Sequence, residues 1–203
     1  RDEIHNVFIK LPASEGREGE DAVLLQGHTD MVCEKNSDVE HDFLNEGIKL
    51  LEKDGWLRAD GTTLGADNGV AVAIMLYVLD GGLERHGAIQ CLFTASEEVG
   101  LDGAQSFDYS RVYARKMINM DSADEKLIIV GCAGGMRSNV SFDVTSEEID
   151  APALVKLSVK GLMGGHSGED IDKGRANANK LMARLLGKVL ADDKIGARIV
   201  SIY

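Results

Sequence analysis

The chain has 203 residues, 44% hydrophobic but only 5% aromatic, with two prolines, which suffices for one sizeable core or for one domain plus part of a second. Its formal charge of −12, from 34 acidic against 22 basic residues, repels phosphate backbones and argues against nucleic acid as a partner. No apolar run approaches the roughly 20 residues of a bilayer span, and no basic start followed by an apolar stretch reads as a secretory signal, so no membrane partner is expected.

In chain order, the first strong strand is Ala22–Gln26, an apolar run of the kind buried on both faces of a parallel sheet. It stops at Gly27, with His28-Thr29-Asp30 directly after it. The polar stretch 34–54 reads as a loop with a short helix. Trp56–Ala59, Asp60-Gly61 and Thr62–Leu64 read as a hairpin, because Asp-Gly favours a tight turn. A helix is expected to start at the capping residues Asp67-Asn68 and run to Leu79, where Gly81-Gly82 stop it. Ala88–Thr94 is the next buried strand and ends at Ala95-Ser96-Glu97-Glu98. Lys116–Met120 is another, ending at Asp121, and Leu127–Val130 a fourth, followed by a turn over 131–135.

Strands alternating with helical stretches predict an α/β fold, a mostly parallel sheet with flanking helices, over residues 1–135. From residue 136 the pattern changes. Segments 137–144 and 154–159 alternate, and Asn177–Leu190 reads as an amphipathic helix, which predicts the start of an α+β domain over 136–203. The three cysteines, Cys33, Cys91 and Cys132, form no CxxC pair and read as reduced thiols of a cytoplasmic protein.

Three of the expected strands end in ionisable residues: His28 and Asp30, Glu97 and Glu98, and Asp121. Asp67 opens the intervening helix. In open α/β sheets ligands bind outside the carboxyl ends of the strands, so one imidazole and five carboxylates converge on one edge. Clustered carboxylates either raise one another's pKa or hold a cation, and a His among them suits zinc, manganese or cobalt. A carboxylate shared by two ions about 3.5–4 Å apart would make a two-metal hydrolytic site. Singly, each residue has an ordinary reading: Asp67 as a helix cap, Asp121 as a turn cap, Glu97-Glu98 as a solvated loop. Their order along successive buried elements is what favours the metal.

The motifs Gly-His-Thr-Asp-Met-Val-Cys (27–33), Gly-Ala-Asp-Asn-Gly-Val-Ala (65–71), Thr-Ala-Ser-Glu-Glu-Val-Gly (94–100) and Asn-Met-Asp-Ser (119–122) resemble those of the co-catalytic two-zinc metallopeptidases, relatives of carboxypeptidase G, the acylases and peptidase T. GHTDMVCEKN with GADNGVAVA is similar to the aminoacyl-histidine dipeptidase branch. The resemblance implies a zinc-peptidase catalytic domain, followed by a lid domain through which two copies pair, and hydrolysis of Xaa-His dipeptides. It leaves open a tripeptidase, an N-acyl amino acid deacylase, or a catalytically dead scaffold relative. On these residues it implies that His28 and Asp121 bind the first of two divalent ions, Asp67 bridges them and Glu98 binds the second. It implies that Glu97 is the general base and that Asp30 hydrogen-bonds and orients the His28 imidazole. His166, in Gly164-Gly165-His166-Ser167-Gly168, matches a lid histidine that supports the tetrahedral oxyanion of the peptide substrate. The family pattern has a further late His ligand, whereas this sequence has no His after His166, which leads to the expectation of a fragment of a longer protein.

Overall fold

Four apolar segments pair into one sheet: β1 (Val7–Leu11), β2 (Val23–His28), β5 (Ile89–Thr94) and β6 (Lys116–Asn119), in the spatial order β1-β5-β2-β6. The computed structural model describes residues 1–122, 124, 126–131, 136, 138–150, 153–165 and 170–202, which divide into two units, Arg1–Gly134 and Gly135–Tyr203. The sheet belongs to the first unit. β2 runs parallel to both β5 and β6, with His28 opposite Thr94 and Gln26 opposite Asn119. β1 runs antiparallel on the outer side of β5, Val7 facing Phe93. The carboxyl ends of β2, β5 and β6 therefore share one edge with the start of β1.

Every residue of β5 is buried, as its continuous apolar run requires of a strand covered on both faces. One face packs Leu25, Ile89, Cys91 and Phe93 against Met75 and Val78. Ala71 and Met75 lie four residues apart on helix α1 (Ala66–Tyr77), and Val78 follows in the wide turn Val78–Gly82 that extends it, so one stripe meets the sheet. The helix comes very close to β2: a Cβ placed on Gly27 would stand 2.6 Å from Cβ of Ala71, and only glycine fits there. The other face packs Leu24 and Leu92 against Phe107 and Ala114. Buried Gln90 ties this side down, its Oε1 accepting from the Tyr113 amide at 3.0 Å and the Ala114 amide at 2.8 Å.

The structure corrects the sequence reading at several points. The first strand is β1, which that reading passed over; it precedes the expected Ala22–Gln26 strand, which itself extends to His28. The hairpin pairs β3 (Leu50–Lys53) with β4 (Trp56–Ala59) through Asp54-Gly55, not through Asp60-Gly61. Asp54 and Gly55 both adopt positive φ, 55° and 76°, the geometry a two-residue hairpin turn demands. No helix forms in 34–49. The helix at Asp67 does begin where its capping residues stand, since Asp67 and Asn68 keep non-helical backbones and Asn68 Oδ1 accepts from the Ala71 amide at 3.3 Å.

The expected strand Leu127–Val130 is not formed. These four residues are exposed coil, Ile128 and Val130 more than nine-tenths so; an apolar run becomes a strand only against a partner, and none lies beside it among the described residues. The same holds for the alternating segments of the second unit: Val140, Phe142, Val144, Leu154 and Val155 are exposed, and no described residue of 138–144 or 154–159 lies in a strand. That unit carries helix α2 (Ala178–Leu190), with Asn177 Oδ1 capping it from the Lys180 amide at 2.9 Å. Four of the five residues in the expected turn 131–135 lie outside the described residues, as do Cys132 and His166. Cys33 and Cys91 are free thiols.

Candidate metal centre

β2 delivers His28 at its last position, where the ring is buried to 1% exposure and both nitrogens have fixed neighbours. Nδ1 lies 2.9 Å from the main-chain oxygen of Asp30, which can only accept, so Nδ1 carries the proton. Nε2 then points at carboxylates: Asp67 Oδ1 at 2.9 Å and Asp121 Oδ2 at 4.0 Å. A neutral imidazole has one donor nitrogen, and here both nitrogens face acceptors. The ring must therefore take a second proton, or the Nε2 lone pair must meet a cation that also satisfies the carboxylates. This donor set fits a divalent metal ion.

His28, Asp67 and Asp121 bring ligand atoms within 4.8 Å of one another, and His28, Glu97 and Glu98 form a second such group. Each member arrives by a different route. Asp67 comes from the entry of α1. Asp121 follows β6, its amide held by Asn119 Oδ1 at 3.1 Å. Glu97 and Glu98 sit in the loop after β5. The ionisable residues read from the sequence, His28, Asp67, Glu97, Glu98 and Asp121, thus meet at one sheet edge, with Asp30 beside them.

Asp30 makes different contacts from those expected. The imidazole is oriented by its main-chain oxygen, while its carboxylate stands 3.6 Å from Nδ1. That carboxylate instead accepts two amide hydrogens, from Glu97 at 3.0 Å and from Glu98 at 3.1 Å, one on each oxygen. The pair of glutamates is anchored through its backbone, which leaves both side chains free to face the centre.

The electrostatics have one sign. Burial pushes the His28 pKa down, but the Asp67 hydrogen bond and the nearby Asp121 and Asp67 charges outweigh it and the pKa is raised. Burial raises Glu97, with Asp121, Glu98 and Asp30 adding to the rise against the pull of His28. Asp121 is likewise raised by burial and by Asp67, against the pull of His28. All three are shifted toward proton uptake in the metal-free fold, and a bound cation would compete with those protons. Zinc binding to this chain is therefore expected to release protons and to tighten as pH rises from about 5 to 7. Calorimetry in buffers of different ionisation enthalpy measures the release directly; binding unaffected by pH over that interval would contradict it.

Sequence reasoning missed Asn6, which is 1% exposed and touches the Glu97–Glu98 loop. The available signal was Val7-Phe8-Ile9-Lys10-Leu11, a run rich in strand-forming residues that places its preceding residue at the same sheet edge.

The sequence profile of peptidase family M28 matches residues 6–153, and the chain belongs to that family. It is 43% identical over 187 residues to the cytosol non-specific dipeptidase of Escherichia coli, covering 92% of this chain and 39% of that protein. It is 32% identical over 111 residues to the uncharacterized protein YqjE of Bacillus subtilis, covering 53% of this chain and 27% of that one. Among solved structures it is similar to the aminoacylhistidine dipeptidase of Vibrio alginolyticus, with a TM-score of 0.64 and 40% identity over 92% of this chain and 38% of that one. The chain thus spans about two fifths of the length of these two dipeptidases. The mixed α/β fold with a mostly parallel sheet and flanking helices agrees with the Vibrio structure.

Proposed function

We propose that the protein is a metal-dependent dipeptidase, with Xaa-His dipeptides among its substrates, working with two divalent ions, most naturally zinc. The observation that carries this reading is His28 Nε2 facing Asp67 and Asp121 with a second carboxylate pair, Glu97 and Glu98, on the same ring. The names of the E. coli and Vibrio relatives, both dipeptidases, support the substrate class. Bound ions would supply Lewis-acid polarisation of the scissile carbonyl and acidify the attacking water.

The residues of the chain divide the remaining work. His28, Asp67 and Asp121 would hold one ion, and Asp67 with Glu98 the other. Glu97, its pKa raised by burial and by neighbouring carboxylates, is suited to accept the proton of the attacking water and pass it to the leaving amine nitrogen. Asp30 fixes the ring of His28 through its main-chain oxygen and the two glutamates through its carboxylate. His166 is assigned to the oxyanion by resemblance alone. A cytoplasmic location is supported by the word cytosol in the E. coli relative's name; among the described residues no helix is long and apolar enough to cross a membrane. Pairing of two copies through residues 136–203 belongs to the same proposal.

A substrate panel on the full-length protein tests it. Unblocked Xaa-His and other dipeptides are expected to be cleaved, and hydrolysis to cease with a chelator and return with zinc. Preferential cleavage of tripeptides or N-acetyl amino acids would move the assignment to another amidase. Metal binding without any hydrolysis would favour a scaffold role.

A further inference from the structure

The loop carrying Glu97 and Glu98 is gripped at both of its shoulders, and one grip comes from the amino-terminal segment. Because β1 is antiparallel to β5 with Val7 opposite Phe93, the residue before Val7 falls level with Thr94, one residue short of Ala95. Asn6 occupies that place. Its Oδ1 accepts from the Ala95 amide at 3.0 Å, and its Nδ2 donates to the Gly103 carbonyl at 2.9 Å and to Asp2 Oδ2 at 2.8 Å. Asp2 Oδ1 accepts from the Asn6 amide at 2.8 Å, so the carboxamide is held from behind. Asn6 joins the two ends of the loop to each other and both to β1.

The loop closes tightly on this side chain. The Gly103 amide donates to the Ala95 carbonyl at 3.0 Å and the Asp102 amide to the Ser96 carbonyl at 3.1 Å. A Cβ on Gly103 would stand 2.1 Å from the Ala95 oxygen and 2.5 Å from Asn6 Oδ1, so the closure requires glycine. Ser96 and Leu101 take positive φ, 56° and 64°, and the Gly100 and Leu101 amides both donate to the Glu97 carbonyl at 3.0 Å. Non-glycine residues in that conformation persist where the surroundings over-determine it. Asp30 holds the middle of the loop and Asn6 its base.

We propose that Asn6 is a positioning residue for the reaction, acting through Ala95 and Gly103 to fix where Glu97 and Glu98 stand. This rests on the reading of Glu97 as base and Glu98 as metal ligand. Asn6 itself is not among the clustered candidate ligand residues. Its side chain is buried and fully engaged, so its removal strands the Ala95 amide and the Gly103 carbonyl without partners, and the loop relaxes to reach water.

Amide hydrogen exchange on the metal-free 203-residue chain is the primary test, because it reads the loop without reference to catalysis. Asn6→Ala is expected to speed exchange of the Ala95, Glu97, Glu98 and Gly103 amides by about tenfold or more, with the amides of Leu25 and Cys91 in mid-sheet much less affected. Asp2→Ala, nearer the surface, removes only the bonds behind the carboxamide and should loosen the same four amides by a smaller factor; it serves if Asn6→Ala does not fold. In the full-length protein Asn6→Ala should lower kcat by about tenfold or more with KM nearly unchanged. Exchange that rises uniformly through the sheet, or rises nowhere, overturns the proposal. Local loosening with kcat unchanged would reduce the clamp to a structural one and overturn its role in positioning the reaction, while the base assignment itself is read separately from Glu97→Gln.

Discussion

Glu97→Gln in the full-length protein is expected to cut turnover by a factor of about 100 to 10,000 while the bound metal stays at its normal stoichiometry. The substitution preserves length and leaves the backbone anchor intact, since it is the Glu97 amide, not its side chain, that donates to Asp30. Glu98 keeps its own anchor on the second Asp30 oxygen, so its carboxylate remains available to a metal. What is lost is a proton acceptor whose affinity for protons is already raised by burial and by three neighbouring carboxylates. Glu98→Gln should differ in kind, losing metal along with activity. Metal analysis of the purified variants beside kcat separates the two roles. A Glu97→Gln enzyme within about tenfold of the parent would place the base elsewhere.

Asp67→Asn is expected to weaken metal binding by more than the roughly 10–100-fold that an outer partner of a ligand contributes, and to remove both ions at once if Asp67 bridges them. It is a cleaner probe than any change at His28. The His28 side chain is 1% exposed, so replacing it leaves a hole and an unfolding defect alongside the metal defect; the Asp67 side chain is 73% exposed. Little stability of the metal-free chain should ride on it, within the half kcal/mol or so usual for surface substitutions. The expected pattern is a thermal midpoint almost unchanged without zinc, and a zinc-induced rise that is large in the parent and absent in the variant. Loss of one ion with the other retained at parental affinity would show that Asp67 serves a single metal.

The elements that build the centre were legible in the sequence because of how parallel sheets are covered. A strand buried on both faces is a largely apolar run, and Val23–His28 and Ile89–Thr94 each end next to ionisable residues; Lys116–Asn119, an exposed strand, was legible from its short apolar centre before Asp121. The register that puts His28 beside Thr94 then brings Glu97 within reach. Other features depend on partners that local pattern does not name. Two Asp-Gly pairs, 54–55 and 60–61, both signal a turn, and the hairpin formed at the one whose flanking segments could pair. Leu127–Val130 has the composition of a strand but no pairing partner among the described residues. The contacts of Asp30 were beyond sequence reasoning for a different reason: a carboxylate two residues from His28 has several acceptable partners, and only the loop after β5 shows that two amides claim it.

The contact between Gly27 and Ala71 has a bearing on how this protein can be redesigned. Glycine inside a strand normally invites replacement by a β-branched residue for added rigidity. Here any side chain at position 27 meets the helix at 2.6 Å and pushes it outward. The helix carries Asp67 at its entry and the strand carries His28 at its exit, so the gap between sheet and helix is also the gap between two of the proposed ligands. A stabilising campaign that scored only strand propensity would choose this position early and find its cost in zinc occupancy, with the circular dichroism spectrum barely altered.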